Sequence, residues 1–288
     1  MAPRYRRSHE RGQASEAVKV GVLASSSVGN PDVIAPVSAF AAVAYPEIDL
    51  LFHPQVYERA GHFAGTDEVR AAAFLEFAND PGIDAIWFLR GGYGSNRLLT
   101  RIMPSLGPAA GHKTYLGYSD VGFLLGALYA RRIGRSVHGP MASDIRRQGG
   151  DQTVARSLGW LLRRDRAGLE PGLRDRPSAA FNLSILTALI GTPFLPDLAD
   201  HVLLIEEVSE PMYRLDRMLF QIAHATQLRG IAGIRLGAIT DVQPNDPPWG
   251  EEPEAMVIRW CAEMGVPYLG RAEIGHTQAN RVVPFGMA

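Results

Sequence analysis

Short apolar runs alternate with helical patterns from residue 18 to about residue 141, and this alternation limits the possible folds. The runs predicted to be strands are AVKVGVLASSS, IDLLFHPQV, IDAIWFLR, KTYLGYS and SVHGPM. The segments between them have helical spacing, with Pro31 tolerated near one helix start and Thr66 suited to cap another. This order predicts a parallel sheet covered by helices on both faces, with ligands bound at the carboxyl ends of its strands.

The composition changes after residue 145, which predicts a division into domains. Residues 146–177 are rich in arginine, glycine and proline and are interpreted as a linker with one short helical segment, VARSLGWLLRR. Residues 1–17 are interpreted as a flexible tail. Residues 18–145 form the first predicted domain, and we expect residues 1–145 expressed alone to fold. Residues 178–288 contain the strands HVLLIEEV and LGAITDV and two amphipathic helices, which predicts a second, smaller α/β domain.

Composition and charge narrow the classes of function. The 288 residues are 46% hydrophobic and 20% charged, with a net charge of −1, so they predict no general attraction to nucleic acid or to a membrane surface. The single cysteine, Cys261, excludes an internal disulfide, and neither a metal nor a cofactor is expected. The first 17 residues lack the apolar region of a secretory signal, which favours a cytoplasmic location.

Three glycines precede a serine where the third predicted strand meets a helix, in the stretch RGGYGS that ends at Ser95. A sharp strand-to-helix turn that exposes a nucleophilic hydroxyl needs neighbours without a Cβ, as in the elbow of serine hydrolases. Two other interpretations stay open: a glycine-rich loop that binds phosphate, and a serine that only caps the helix. The patterns GxGxxG and GxxxxGK[ST] are absent, which weakens the nucleotide interpretation.

A nucleophilic serine needs a histidine base and a group that orients it. His138 ends a strand at the expected ligand edge, and His276 lies in a polar, glycine-bounded loop near the C-terminus. The segment HVLLIEEVSEP offers Glu206, Glu207 and Glu210, and strand alternation favours neither of the first two.

Further residues follow the same predicted strand ends. The GYSD segment contains Ser119 and Asp120, and Tyr93 lies between the glycines of the earlier turn. Since the ends of parallel strands meet at one edge, we expect these residues and His138 to line a site.

Six separated motifs resemble the LD-carboxypeptidase family, which contains murein tetrapeptide carboxypeptidases and microcin-immunity peptidases. In chain order they are RGGYGSNRLL, GYSDV, HGPM, NLSILTALIGTPF, LLIEEVSEPMYRLDRML and GHTQANRVVPFG. The resemblance extends from about residue 18 to the end. Two positions depart from the family pattern: AFNL stands at 180–183 where GGNL is common, and Glu207 stands where Asp is frequent.

The resemblance implies a Ser–Glu–His triad divided between two domains, which maps onto Ser95, Glu206 and His276. Backbone N–H groups of Gly92 and Asn96 would then stabilise the oxyanion. It also implies a flavodoxin-like first domain, related to that of class I glutamine amidotransferases, a swivelling β/β/α second domain, and a homodimer.

The implied activity is hydrolysis of the L,D amide bond that releases terminal D-alanine from cytoplasmic murein tetrapeptides during peptidoglycan recycling, without a metal. An arginine that the sequence does not identify would bind the carboxylate of D-alanine. One alternative is a peptidase that cleaves peptidyl or aminoacyl nucleotides. Another is a catalytically inactive protein that binds a ligand on the same fold.

Overall fold

The computed structural model describes residues 17–173 and 176–287, which form two β-sheets with helices packed on them. Apart from Ala17, the predicted flexible tail lies outside the described residues. Among the helices described, none has the length and apolar character needed to cross a membrane.

The first sheet has six strands in the order β10-β5-β4-β3-β1-β2, and the second has four in the order β6-β7-β8-β9. The strands are β1 Val18–Leu23, β2 Ile48–Phe52, β3 Ala85–Phe88, β4 Thr114–Gly117, β5 Arg135–His138, β6 Ser178–Asn182, β7 Val202–Val208, β8 Gly233–Thr240, β9 Tyr268–Arg271 and β10 Val283–Pro284. Strands β1 to β5 are parallel in the flavodoxin-like order 2-1-3-4-5. The predicted α/β class, with a flavodoxin-like sheet and a separate smaller sheet, is confirmed.

The helices that cover the sheets follow the strands along the chain. They are α1 Ile34–Ala44, α2 Asp67–Asn79, α3 Leu99–Ile102, α4 Gly122–Ala130, α5 Gly150–Arg163, α6 Leu183–Leu189, α7 Met212–His224 and α8 Pro253–Met264. Thr66 caps α2, because its Oγ1 accepts a hydrogen bond from the Val69 N–H at 3.3 Å.

The helix predicted from SNRLLTRIMPSL is shorter than expected. A 3₁₀ turn over Ser95–Leu98 precedes α3, and a second turn over Met103–Ser105 follows it. Pro104 lies in the second turn, where its ring and its missing N–H prevent the helix from continuing.

The segment predicted as a linker, 146–177, contains helix α5, which packs against the first sheet. Four apolar side chains of α5 are buried in the same cluster as Val20 of β1 and Trp87 of β3. These four are Val154, Leu158, Trp160 and Leu161. This helix is therefore part of the first sheet's hydrophobic core.

The chain also returns to the first sheet at its end. Strand β10 pairs antiparallel with β5, and Val283 lies opposite His138. A second contact joins the two parts of the chain where α4 approaches α6: a Cβ on Gly126 would lie 3.1 Å from Leu189 Cδ1. The two sheets are therefore joined through a shared core that includes residues from both.

Candidate active site

A cleft of about 230 Å³ opens at the carboxyl ends of the first sheet's strands. Gly91 and Gly92 reach it from the loop after β3, and Tyr118 and Ser119 from the turn after β4. His276 reaches it from the loop that follows β9. The cleft is thus formed by both parts of the chain.

Ser119 occupies a strained turn between β4 and α4. Its φ is 60°, in the left-handed region that residues other than glycine seldom adopt. A backbone held in that region costs about 1–3 kcal/mol, and such residues cluster at active sites. A Cβ on Gly91 would lie 3.1 Å from the Ser119 Oγ, so the glycine lets the β3 loop approach this hydroxyl.

His276 connects Ser119 to a buried carboxylate. Its Nε2 lies 3.2 Å from the Ser119 Oγ, and its Nδ1 lies 2.8 Å from Glu206 Oε2. With Nδ1 protonated and donating to Glu206, Nε2 is free to accept the serine proton. Burial disfavours the imidazolium, but the charge and hydrogen bond of Glu206 outweigh that effect and raise the pKa of His276 above its usual value.

Glu206 of strand β7 faces His276 and lies opposite an irregularity in strand β8. Ile205 pairs with Leu236 and Glu207 pairs with Ile239, so two residues of β8 lie opposite Glu206, as in a β-bulge. Gly237 of β8 lies beside it, where a Cβ would come within 3.1 Å of Glu206 Cβ. Glu206 is fully buried, and its Oε1 has no hydrogen-bond partner among the described residues.

The neighbouring Glu207 points to a different set of partners. It accepts hydrogen bonds from Asn182 Nδ2 at 2.7 Å and from the N–H and Oγ of Ser184, and burial raises its pKa. The structure therefore brings Glu206, and not Glu207, to His276. Asn182 belongs to the AFNL segment, which differs from the family's common GGNL, and its side chain holds Glu207.

Several groups hold the loop that carries His276. Arg147 Nη1 donates to the His276 carbonyl at 2.9 Å, and Arg156 Nη1 donates to the carbonyls of Gln278 and Asn280 at 2.7 and 2.8 Å. Asn280 Oδ1 accepts from the Gly275 N–H at 3.1 Å. The loop is thereby tied to the segment that contains α5.

Ser95, the predicted nucleophile, does not face His276. It is fully buried, and its hydroxyl donates to the backbone carbonyl of Asp120 at 2.5 Å. Its N–H donates to Asp120 Oδ2 at 2.9 Å. The predicted role of Ser95 as the nucleophile is therefore corrected. Its hydroxyl joins the loop after β3 to the turn after β4. Ser119, in that turn, meets the histidine.

Of the two predicted oxyanion donors, one lines the cleft and the other does not. Gly92 lines the cleft with a φ of 120°, whereas Asn96 lies in the 3₁₀ turn after Ser95 and does not line it. Asn96 is therefore corrected as a donor to this cleft. Tyr93 also lies outside the lining; its half-exposed ring packs against Phe63 and His62.

Asp120 and His138 lie behind the cleft. The Asp120 carboxylate accepts from Ser26 Oγ at 2.5 Å and from backbone N–H groups, so it fixes the loops. His138 is buried and its Nε2 lies 3.0 Å from Asn280 Oδ1, while burial lowers the pKa of His138 to about 4. Neither side chain lines the cleft, contrary to expectation, whereas Ser119 does.

A sequence signal for Ser119 was present in GYSD. Gly117 ends β4 and α4 begins at Gly122, so the serine lies in a very short strand-to-helix connection. That is the position of the nucleophile in a hydrolase elbow, whereas Ser95 follows a longer loop. Arg90 and Arg147, which also line the cleft, carried no distinctive signal.

Histidine, cysteine and carboxylate side chains do not gather into a metal-binding group of three within residues 17–173 and 176–287. The acid–base groups of the cleft are instead arranged in a serine–histidine–glutamate line.

Comparison with known proteins identifies relatives along most of the chain. Residues 20–139 match the LD-carboxypeptidase N-terminal domain, and residues 179–288 match the LD-carboxypeptidase C-terminal domain. A murein tetrapeptide carboxypeptidase of Pseudomonas aeruginosa is 29% identical over 287 residues, which cover 90% of this chain and 91% of that protein.

Solved structures share the fold. A muramoyltetrapeptide carboxypeptidase from Oxalobacter formigenes superposes with a TM-score of 0.77 at 23% identity, covering 93% of each chain. MccF in complex with glutamyl sulfamoyl guanosine superposes with a TM-score of 0.78 at 19% identity, covering 94% of this chain and 92% of that one. The resemblance inferred from the six motifs is confirmed, and the chain belongs to the LD-carboxypeptidase family of serine peptidases.

Proposed function

We propose that this protein is a serine carboxypeptidase that releases the terminal D-alanine of murein tetrapeptides, with Ser119 as the nucleophile. The observation that carries the proposal is the line of atoms from Ser119 Oγ to His276 Nε2 at 3.2 Å and from His276 Nδ1 to Glu206 at 2.8 Å. The left-handed turn at Ser119, placed at a cleft, supports the same role.

The reaction proceeds by acyl transfer. His276 takes the proton of the Ser119 hydroxyl as its oxygen attacks the scissile carbonyl carbon, and Glu206 stabilises the imidazolium. The N–H groups of Gly92 and Asp120 are the oxyanion donors we propose, each worth about 3 kcal/mol of barrier. His276 then protonates the leaving amine, D-alanine departs, and water repeats the sequence on the acyl-enzyme.

The substrate class rests on the relatives. The protein from Pseudomonas aeruginosa that covers 90% of this chain is named a murein tetrapeptide carboxypeptidase. A cleft of about 230 Å³ can hold the end of a short peptide around Ser119. On the same resemblance we propose that the protein acts in the cytoplasm, in peptidoglycan recycling, and as a homodimer. Cell fractionation tests the location, and light scattering tests the homodimer.

A peptidyl or aminoacyl nucleotide is the second candidate substrate. It is favoured by one observation, the TM-score of 0.78 to a protein solved with glutamyl sulfamoyl guanosine. The intact hydrogen-bonded line from Ser119 to Glu206 weighs against the third possibility, a catalytically inactive protein.

Parallel incubation with a murein tetrapeptide and with an aminoacyl sulfamoyl adenosine tests the proposal. We expect mass spectrometry to detect free D-alanine from the tetrapeptide, and a fluorophosphonate probe to label Ser119. Turnover of the nucleotide alone would favour the second candidate. An unlabelled Ser119 with no turnover of either compound would favour the inactive protein.

A further inference from the structure

The charged groups of the cleft are paired, with one exception. Arg147 Nε donates to Asp144 Oδ1 at 2.8 Å, and His276 is paired with Glu206. Arg90 also lines the cleft, yet no carboxylate of the described residues forms a salt bridge with it. The cleft therefore carries one cation whose charge is not neutralised by a side chain that the structure describes.

Backbone carbonyls hold Arg90 in a defined orientation. Its Nη1 donates to the Val28 carbonyl at 3.0 Å, and its Nε donates to the Gly91 carbonyl at 3.2 Å. Neutral carbonyls orient a guanidinium without cancelling its charge. Its remaining nitrogen, Nη2, has no hydrogen-bond partner in the described part of the chain. A half-buried arginine held in this way is prepared for an anionic ligand.

The position of Arg90 relative to Ser119 suits a specific anion. A peptide's terminal carboxylate carbon lies three covalent bonds beyond the scissile carbonyl carbon, so its partner cation must lie in the same cleft as the nucleophile. Arg90 directly precedes Gly91, whose missing Cβ permits the approach to the Ser119 Oγ. Arg90 and Ser119 also line one continuous cleft.

Arg147 is less suited to this role. Its Nε is engaged by Asp144, and its Nη1 donates to the carbonyl of His276. Asp144 is buried and also accepts from the Tyr118 hydroxyl at 3.1 Å and the Met141 N–H at 2.8 Å. Arg147 thus holds the loop of the base, and its charge is already balanced.

We propose that Arg90 binds the terminal carboxylate of the substrate and so restricts the enzyme to peptides with a free C-terminus. This inference rests on the proposed function and names the group that makes the peptidase an exopeptidase. A charge-assisted hydrogen bond of this kind contributes roughly ten- to a hundredfold in affinity.

Two matched substrates test the role: a tetrapeptide with a free terminal carboxylate and the same peptide with a terminal carboxamide. We expect the natural protein to prefer the acid by roughly a hundredfold in kcat/KM. Arg90→Ala should lose most of that preference through a higher KM for the acid, with hydrolysis of the amide nearly unchanged. Arg90→Lys should recover part of it. Arg101→Ala, which removes an exposed arginine paired with Glu68 outside the cleft, is the control.

Binding of both peptides to Ser119→Ala, with and without Arg90→Ala, gives a readout that does not need turnover. Weaker binding of the acid alone after loss of Arg90 supports the inference. An Arg90→Ala protein that keeps the full preference for the acid overturns it while leaving the proposed function intact. A natural protein that neither binds nor cleaves either peptide overturns both.

Discussion

Ser119 and Ser95 differ in what their hydroxyl groups contact, and this difference decides their expected roles. We expect Ser119→Ala to reduce kcat by roughly four to six orders of magnitude, because it removes the attacking oxygen. Ser95→Ala should keep kcat within about tenfold and lose about 1 kcal/mol of unfolding free energy, since it deletes one buried hydrogen bond to Asp120. Release of D-alanine and urea unfolding measure the two effects. The reverse pattern would return the nucleophile to Ser95.

The pKa of His276 predicts the pH dependence. As a base, His276 must be neutral, so kcat/KM should fall as pH decreases through a pKa above the ordinary value of about 6.5. Glu206→Gln removes the charge that stabilises the imidazolium. The pKa of His276 should therefore decrease, and the acid limb should move to lower pH while kcat falls.

His138→Gln provides the matched control for this profile. Burial lowers the pKa of His138 to about 4, so this ring is neutral at the pH where His276 titrates. Its replacement should leave the inflection in place. An acid limb that follows His138, or that stays fixed in Glu206→Gln, would contradict the assignment of the base.

At the scale of elements, helix α5 positions the loop that carries His276. Arg156 donates to two carbonyls of that loop, those of Gln278 and Asn280. We expect Arg156→Met to lower kcat by roughly ten- to a hundredfold with little change in KM, since a small displacement of the base is costly. Arg163→Met, at the exposed end of the same helix, is the control. A lower melting temperature with unchanged kcat would show that Arg156 supports only the fold.

At the scale of the whole molecule, the structure argues against independent folding of residues 1–145. That fragment lacks α5, whose four buried apolar side chains each contribute about 1.5–3 kcal/mol when fully buried. Their sum is comparable to the net stability of a domain, about 5–15 kcal/mol. We therefore expect residues 1–145 to unfold without a cooperative transition in urea, and residues 1–173 to be measurably more stable. A cooperative transition of equal midpoint in both fragments would contradict this expectation.

Neither fragment should hydrolyse the tetrapeptide, because Glu206 and His276 lie beyond residue 173. The active site is formed only when the loop after β9 meets the turn after β4. Activity of an isolated first part would contradict the division of the triad between the two parts of the chain.

The amino-acid sequence was enough to predict strands β1 to β5 and their parallel arrangement. These features depend on local apolar runs and on connection length, which can be read along the chain. The six motifs also determined the family. The short final strand β10 was not predicted, because two residues, Val283 and Pro284, carry no periodicity and pair only where β5 offers an edge.

Which serine and which glutamate meet His276 depends on contacts that form only in the folded chain. Ser119 and His276 are 157 positions apart, and no local pattern specifies a contact over that distance. Glu206 and Glu207 are adjacent and point to opposite faces of β7, so strand alternation by itself favours neither. In the folded chain Glu206 meets the histidine, opposite a bulge in β8, and Glu207 contacts Asn182 and Ser184. Helix α5 lies in a segment with the composition of a solvated linker. Its apolar side chains are nevertheless buried, because they pack against the first sheet.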